Sequence, residues 1–213
     1  MRLNSSKEDV KMFRFGKVFV FVVCSVMLLS LTAARKRSSD SEDSKPDAAA
    51  EAKPAASANM IDDMSMAPAG WFSEVDSGAT VKLGSTKGQK GKALEISYNF
   101  NGGNWLGARK TISDDLSNFK GIRFAVRGEG ASNSIEVKFE NSDYSNFGKL
   151  MPVKSNTGAW TTIEIPFTDL TYFWGASQQL DLKKTVLHIA ISKKDSDDGG
   201  VGKMIIDGIE LYK

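Results

Sequence analysis

The sequence predicts an all-β fold, an antiparallel β-sandwich, over residues 59–213. Three observations carry that expectation. Short runs there alternate apolar and polar residues with a period of two. Gly, Asn and Asp turn signals separate the runs at roughly 10–15-residue intervals. No stretch of ten or more residues keeps an apolar stripe at the 3.6-residue period of a helix.

The clearest strand is Ala93-Leu-Glu-Ile-Ser-Tyr-Asn-Phe100, with Leu94, Ile96, Tyr98 and Phe100 on one face and Glu95, Ser97 and Asn99 on the other. Gly121–Arg127 repeats the pattern, turning Ile122, Phe124 and Val126 inward and Arg123 and Arg127 outward. Ser134–Glu140, Trp160–Phe167 and Thr185–Ser192 follow the same rule. Ala79–Gly84, Trp105–Ile112 and Gly148–Val153 are weaker candidates. In the closing strand Met204 and Ile206 share one parity, Ile209 and Leu211 the other, and Asp207-Gly208 lies between them. A phase switch at a glycine predicts a β-bulge that keeps both apolar pairs in the core. Nine or ten strands with this spacing fit a jelly roll. Alternation alone does not separate that topology from an immunoglobulin-like sandwich.

Composition bounds the function classes. The chain has 213 residues, 41% of them hydrophobic and 25% charged, which is ordinary for a globular protein. Its formal charge is +2. The residues after 59 hold 18 Lys and Arg against 19 Asp and Glu, so the positive excess belongs to the N-terminal segment. Nucleic-acid binding wants a clustered basic patch, and the predicted domain supplies none. The single cysteine, Cys24, precedes the domain, which rules out an intrachain disulfide or a thiolate metal site within it.

Residues 1–34 read as a targeting segment. Lys7, Lys11, Arg14 and Lys17 precede the apolar run Val18–Ala34, and Thr32 and Ala34 are the small residues before a cut after Ala34. Arg35-Lys-Arg37 follows directly and opposes export, so an uncleaved membrane anchor stands beside a signal peptide. Residues 35–58, rich in Ser, Asp, Glu, Lys, Pro and Ala, bury too little to order themselves and read as a disordered linker. The expected location is extracytoplasmic, with membrane contact only through the N-terminal segment if it is retained.

The order of small motifs adds what periodicity cannot. Met60-Ile-Asp-Asp63 is followed by Gly91-Lys-Ala-Leu-Glu-Ile-Ser-Tyr98, Trp105-Leu-Gly107 and Asp115-Leu-Ser-Asn-Phe-Lys-Gly-Ile-Arg-Phe124. Arg127-Gly-Glu-Gly130, Trp160-Thr-Thr-Ile-Glu-Ile-Pro-Phe167 and Ile206-Asp-Gly-Ile-Glu-Leu211 complete the series. Together they resemble the galactose-binding-like jelly roll of family 11 carbohydrate-binding modules, and the related domain of complex I intermediate-associated protein 30. The resemblance covers residues 59–213. It implies a non-catalytic module with a polysaccharide, a β-glucan first, across the concave sheet, and a structural calcium near the chain ends. It also admits a carbohydrate-active enzyme as partner, or a protein-binding role on the same fold.

Sugars are gripped by an aromatic ring laid against the C–H face of a pyranose, with polar neighbours on the hydroxyls. All four tryptophans, Trp71, Trp105, Trp160 and Trp174, lie in the domain. Trp160 reads as core and Trp105 as either core or rim. Trp174 falls in Thr171-Tyr-Phe-Trp-Gly175, read as a loop, where three adjacent aromatics cannot all turn inward. Trp174, Tyr172, Tyr144 and Trp105 are therefore the aromatic candidates. Arg109, Arg123, Arg127, Glu136, Lys138, Glu140, Glu164 and His188 take outward parity, and among them Arg109 and His188 are the preferred sugar contacts. The alternative for each is a solvated sheet face with cross-strand pairs. Asp62, Asp63 and Asp207 are the acids nearest the chain ends and the candidate calcium ligands. Asp195-Ser-Asp-Asp-Gly-Gly200 lacks EF-hand spacing and reads as a hairpin turn. Catalysis is disfavoured: one histidine, no cysteine and no phosphate-cradling glycine loop leave no nucleophile–base set in the domain.

Overall fold

The computed structural model describes residues 59–213; the expected targeting segment 1–34 and linker 35–58 lie outside them. The described part is a two-sheet antiparallel sandwich of twelve strands. The first sheet contains β3 (Thr80–Lys87), β4 (Lys92–Asn99), β12 (Val201–Tyr212), β6 (Gly121–Gly130) and β9 (Thr161–Pro166) in that spatial order, with β1 (Met60–Asp62) paired to β12. The second runs β10 (Thr171–Trp174), β8 (Asn146–Lys154), β7 (Ser134–Asn141), β11 (Thr185–Ser192), β5 (Trp105–Ile112) and β2 (Phe72–Val75).

Alternation places the core where the sequence puts it. Leu94, Ile96, Phe124, Phe139, Leu187 and Ile189 are fully or almost fully buried between the sheets. Each such side chain contributes about 1.5–3 kcal/mol by leaving water. The bulge expected in the last strand is present: the β12–β6 register shifts between Asp207 and Glu210. Gly208 carries φ +54°, a conformation that side chains resist. Met204, Ile206, Ile209 and Leu211 are all buried as a result.

Three short strands were not anticipated: β1, β2 and β10. Each has three or four residues, too few to show a period. Segment 171–174, read as a loop, is the edge strand β10, and its register against β8 shifts between Tyr172 and Trp174. Three consecutive aromatics plus that irregularity erase the alternation by which a strand is recognised. Trp160 is also corrected. It is only half-buried, just before β9, with the Arg127 guanidinium 5.4 Å from its ring centroid.

The segment between β11 and β12 is not the hairpin turn expected from sequence: β11 belongs to the second sheet and β12 to the first, so it crosses between the sheets. It is pinned from inside. Asp197, buried, accepts from the backbone N–H groups of Ser134 and Lys194 and from Lys154 Nζ at 2.6 Å. Burial pushes its carboxyl pKa up, but the Lys154 hydrogen bond and the two backbone donors together hold it well below the usual carboxylate range.

Candidate functional site: a groove on the outer face of the second sheet

The outward polar residues divide between two faces. Arg123, Arg127 and Glu164 lie on β6 and β9 of the first sheet. Arg109, Glu136, Lys138, Glu140 and His188 lie on the second, where register sets them in transverse rows. One row runs Arg109–His188–Lys138–Gly148 across β5, β11, β7 and β8. The next on one side carries Glu136 opposite Ala190, and on the other Glu140 opposite Val186 and Asn146.

Above these rows lies a groove of about 450 Å³. Its lining includes Glu74, Trp105, Glu136, Lys138, Glu140, Asn146, Trp174 and His188. Trp105 opens β5 and Trp174 closes β10, four inter-strand steps apart in the order β5-β11-β7-β8-β10. Four steps in a flat sheet would separate the backbones by about 19 Å. The rings are much closer. Lys138 Nζ lies 5.7 Å from the Trp105 centroid and 5.3 Å from that of Trp174, so the centroids stand at most 11.0 Å apart, the sum of those distances. Both indoles lean in over the sheet and wall a trough. They remain accessible, 38% exposed for Trp105 and 50% for Trp174.

The floor is polar and closely paired. Glu74 Oε1 meets Arg109 at 3.0 Å, and its Oε2 lies 2.8 Å from His188 Nδ1. Lys194 pairs with Glu136, and Glu140 accepts from Asn146 Nδ2 at 3.1 Å. Burial pushes the Lys138 ammonium pKa below its ordinary value, against the opposing pull of Glu136, Glu74 and Glu140. His188 is only 6% exposed, and burial likewise lowers its pKa although Glu74 and Glu140 work the other way. Burial thus favours the neutral imidazole.

Of the residues singled out from sequence, Trp105, Trp174 and His188 converge on this groove, with Arg109 braced against Glu74 at its margin. Tyr172 does not join them. It stands opposite Phe147 in register, rings 5.8 Å apart, on the other face of the sheet, and its hydroxyl donates to Gly175 O. Tyr144 is 74% exposed at φ +66° in the β7–β8 turn and is not part of the groove lining. Lys138 is not among the preferred contacts from sequence, yet it lines the groove, and Phe173 packs beside it without joining the lining. A Cβ on Gly148 would come within 2.7 Å of the Phe173 ring and 2.8 Å of Lys138 Cγ. Glycine at that position lets the ring settle beside the lysine stem, next to Trp174. The one available signal was the aromatic triplet itself.

The three aspartates proposed for calcium are engaged elsewhere. Asp62 Oδ2 accepts from Trp71 Nε1 at 2.9 Å and pairs with Lys110 at 3.0 Å, while its Oδ1 caps Met64 N. Asp63 Oδ1 accepts from Ser65 N. Asp207 Oδ2 holds the backbone N–H groups of Gln89 and Lys90. Calcium takes six to eight oxygens. Among the described residues no three His, Cys, Asp or Glu side chains form a group that could hold a metal. As arranged, the three acids do not fit such a site; they tie down the loop after β1 and the β3–β4 hairpin.

Residues 47–213 match the family model of the carbohydrate binding domain, family 11. The chain belongs to that family. The family 11 domain is a non-catalytic carbohydrate-binding module, in keeping with a groove of tryptophans and hydrogen-bonding groups. Its fold matches a family 11 carbohydrate-binding module from Clostridium thermocellum, solved with a β-1,3-1,4-mixed-linked tetrasaccharide. The TM-score is 0.60 at 22% identity, covering 72% of this chain and 94% of that one. The family 11 module of the cellulosomal cellulase Lic26A-Cel5E of Clostridium thermocellum matches with TM-score 0.57 at 20% identity, over 72% of this chain and 92% of that one. A mannan endo-1,4-β-mannosidase of Bifidobacterium adolescentis is 31% identical over 138 residues. That stretch is 58% of this chain and 13% of the mannosidase, so the chain spans a small part of that relative.

Proposed function

We propose that the groove of this family 11 domain binds a β-linked glucan, with the chain lying across the sheet between Trp105 and Trp174. The observation that carries the reading is the pair of accessible indoles leaning over one polar floor with the Lys138 ammonium between them. Indole faces offer flat apolar platforms for pyranose C–H surfaces. Lys138 and Arg109 donate, and Glu74, Glu136 and Glu140 accept, so a ring seated there finds partners of both kinds for its hydroxyls. A protein-docking face would need a broad apolar patch; this trough is lined mainly by charged and amide side chains.

The glucan reading is supported by the mixed-linked tetrasaccharide bound to the structural relative. A β-1,4-mannan is the second reading, supported by the sequence relation to a mannanase. The same relation supports action alongside a carbohydrate-active enzyme, outside the cytoplasm, where such polymers are met.

The test is calorimetry and affinity electrophoresis of residues 59–213 against mixed-linked β-glucan, glucomannan, mannan, xylan and agarose. Saturable binding to mixed-linked glucan in preference to mannan is expected. Preference for mannan would replace the glucan reading, and binding to no member of the panel would refute both.

A further inference from the structure

Among the described residues, three buried side-chain polar atoms have no hydrogen-bond partner: Arg127 Nε, Tyr212 Oη and His188 Nε2. Only the last belongs to the groove. The other ring nitrogen explains why it is bare. His188 Nδ1 sits 2.8 Å from a carboxylate oxygen of Glu74, which can only accept, so Nδ1 carries the proton. Glu74 is in turn braced by Arg109. In a neutral ring this leaves Nε2 as a buried lone-pair acceptor in the floor of the groove. Glu140 Oε2 stands 3.7 Å away, too far for a hydrogen bond to it. Two acceptors of groove-lining residues therefore stand side by side with no proton between them, Nε2 buried and bare and Glu140 Oε2 held by Asn146 Nδ2 alone. A buried acceptor without a donor is costly, and native structures rarely leave one so unless a ligand or water completes it.

We propose that His188 Nε2 and Glu140 Oε2 form an acceptor pair that reads two adjacent hydroxyls of one sugar residue, with Glu74 and Arg109 as positioning residues that fix the imidazole tautomer. Each hydroxyl donates one hydrogen, one to the ring nitrogen and one to the carboxylate. The inference rests on the groove being the glycan site, and it adds a specificity: a residue whose vicinal hydroxyls are lost or alkylated leaves Nε2 with no donor and Glu140 Oε2 with Asn146 Nδ2 alone. It also gives binding an acid limb. The charged groups facing His188 are Glu74 from β2, Arg109 from β5, and Lys138 and Glu140 from β7. Once the ring is protonated, Nε2–H is drawn to Glu140, and both acceptors are consumed by one internal ion pair.

The experiment compares the wild-type domain with His188→Asn and His188→Gln, by calorimetry on the best-binding soluble glycan of the panel from pH 8 to pH 5. Asparagine can reach Glu74 but leaves nothing at the Nε2 position, whereas glutamine restores an acceptor there. Affinity should fall about tenfold in His188→Asn and recover in part in His188→Gln. Wild-type affinity should decline toward acid, and His188→Asn should lose that decline. Long-range proton–nitrogen NMR of the wild-type domain should show the Nδ1–H tautomer at pH 7, with the Nε2 resonance shifting on glycan addition. An Nε2–H tautomer, an unmoved Nε2 resonance at saturation, or undiminished affinity in a folded His188→Asn would overturn the role of His188 while leaving the groove reading intact. A wild-type domain that binds no glycan overturns both.

Discussion

Replacing Trp174 by alanine removes one wall of the trough and leaves its floor in place, which makes it the sharpest probe of the groove. A tryptophan side chain offers about 200 Å² to burial. Half of Trp174 is still accessible, so about 100 Å² is available to a ligand. At about 25 cal/mol per Å² that sets a ceiling near 2.5 kcal/mol, roughly a 70-fold change in Kd. A pyranose covers one face of the indole, so about half of that, roughly 1.2 kcal/mol or eightfold, is the expected loss. Folding should suffer less, because Trp174 ends an edge strand and its recorded ring contacts are Phe173 and the Lys138 ammonium. The assay is isothermal titration with a soluble glucan beside a circular-dichroism melt of the same preparation. A folded Trp174→Ala domain whose Kd stays within twofold of wild type would refute the stacking argument and move the site off this face.

Two further outcomes follow from buried charges. Burial lowers the Lys138 pKa from 10.5, so its ammonium is lost at lower pH than an ordinary lysine's. Glycan affinity should fall as pH rises through that lowered value, and Lys138→Met should bind weakly with a flat alkaline profile; wild-type-like binding by Lys138→Met would exclude the ammonium as a donor. Asp197→Ala strips the partner from two backbone N–H groups and from Lys154, at a cost of about 2–3 kcal/mol readable by urea denaturation. Because the folded pKa of Asp197 is depressed, its stabilisation is present above the unfolded value near 3.8 and is lost as pH falls below it. The gap between wild type and Asp197→Ala should therefore narrow in acid, and a gap independent of pH would contradict the assignment.

The long strands and the bulge were legible because burial against a core imposes a period of two on any strand of six or more residues. Leu94, Ile96, Phe124 and Val126 declare their inward face from sequence alone, and Gly208 marks the place in the last strand where the phase changes. The short strands β1, β2 and β10 carried no such signal, and with β10 went the positions of Phe173 and Trp174. Tyr172 illustrates the limit. Its neighbours in sequence lie on the groove side, while its own partner in register is Phe147 on the opposite face.

Outward parity named Arg109, Glu136, Lys138, Glu140 and His188 together with Arg123, Arg127 and Glu164, but a two-residue period is blind to which sheet a strand joins. Strand order alone separated the two sets. The same order carried Glu74, from an edge strand over a hundred residues upstream, to the ring of His188. The fate of Asp62, Asp63 and Asp207 has the same origin. Sequence can bring acids to one end of a sandwich, but whether their oxygens converge on an ion or on Lys110, Trp71 and the backbone of a hairpin is settled by packing. Local alternation determined the fold class, the core and the kind of side chain on the surface. Which of those side chains meet depends on pairings between distant strands, and those exist only once the sheets have formed.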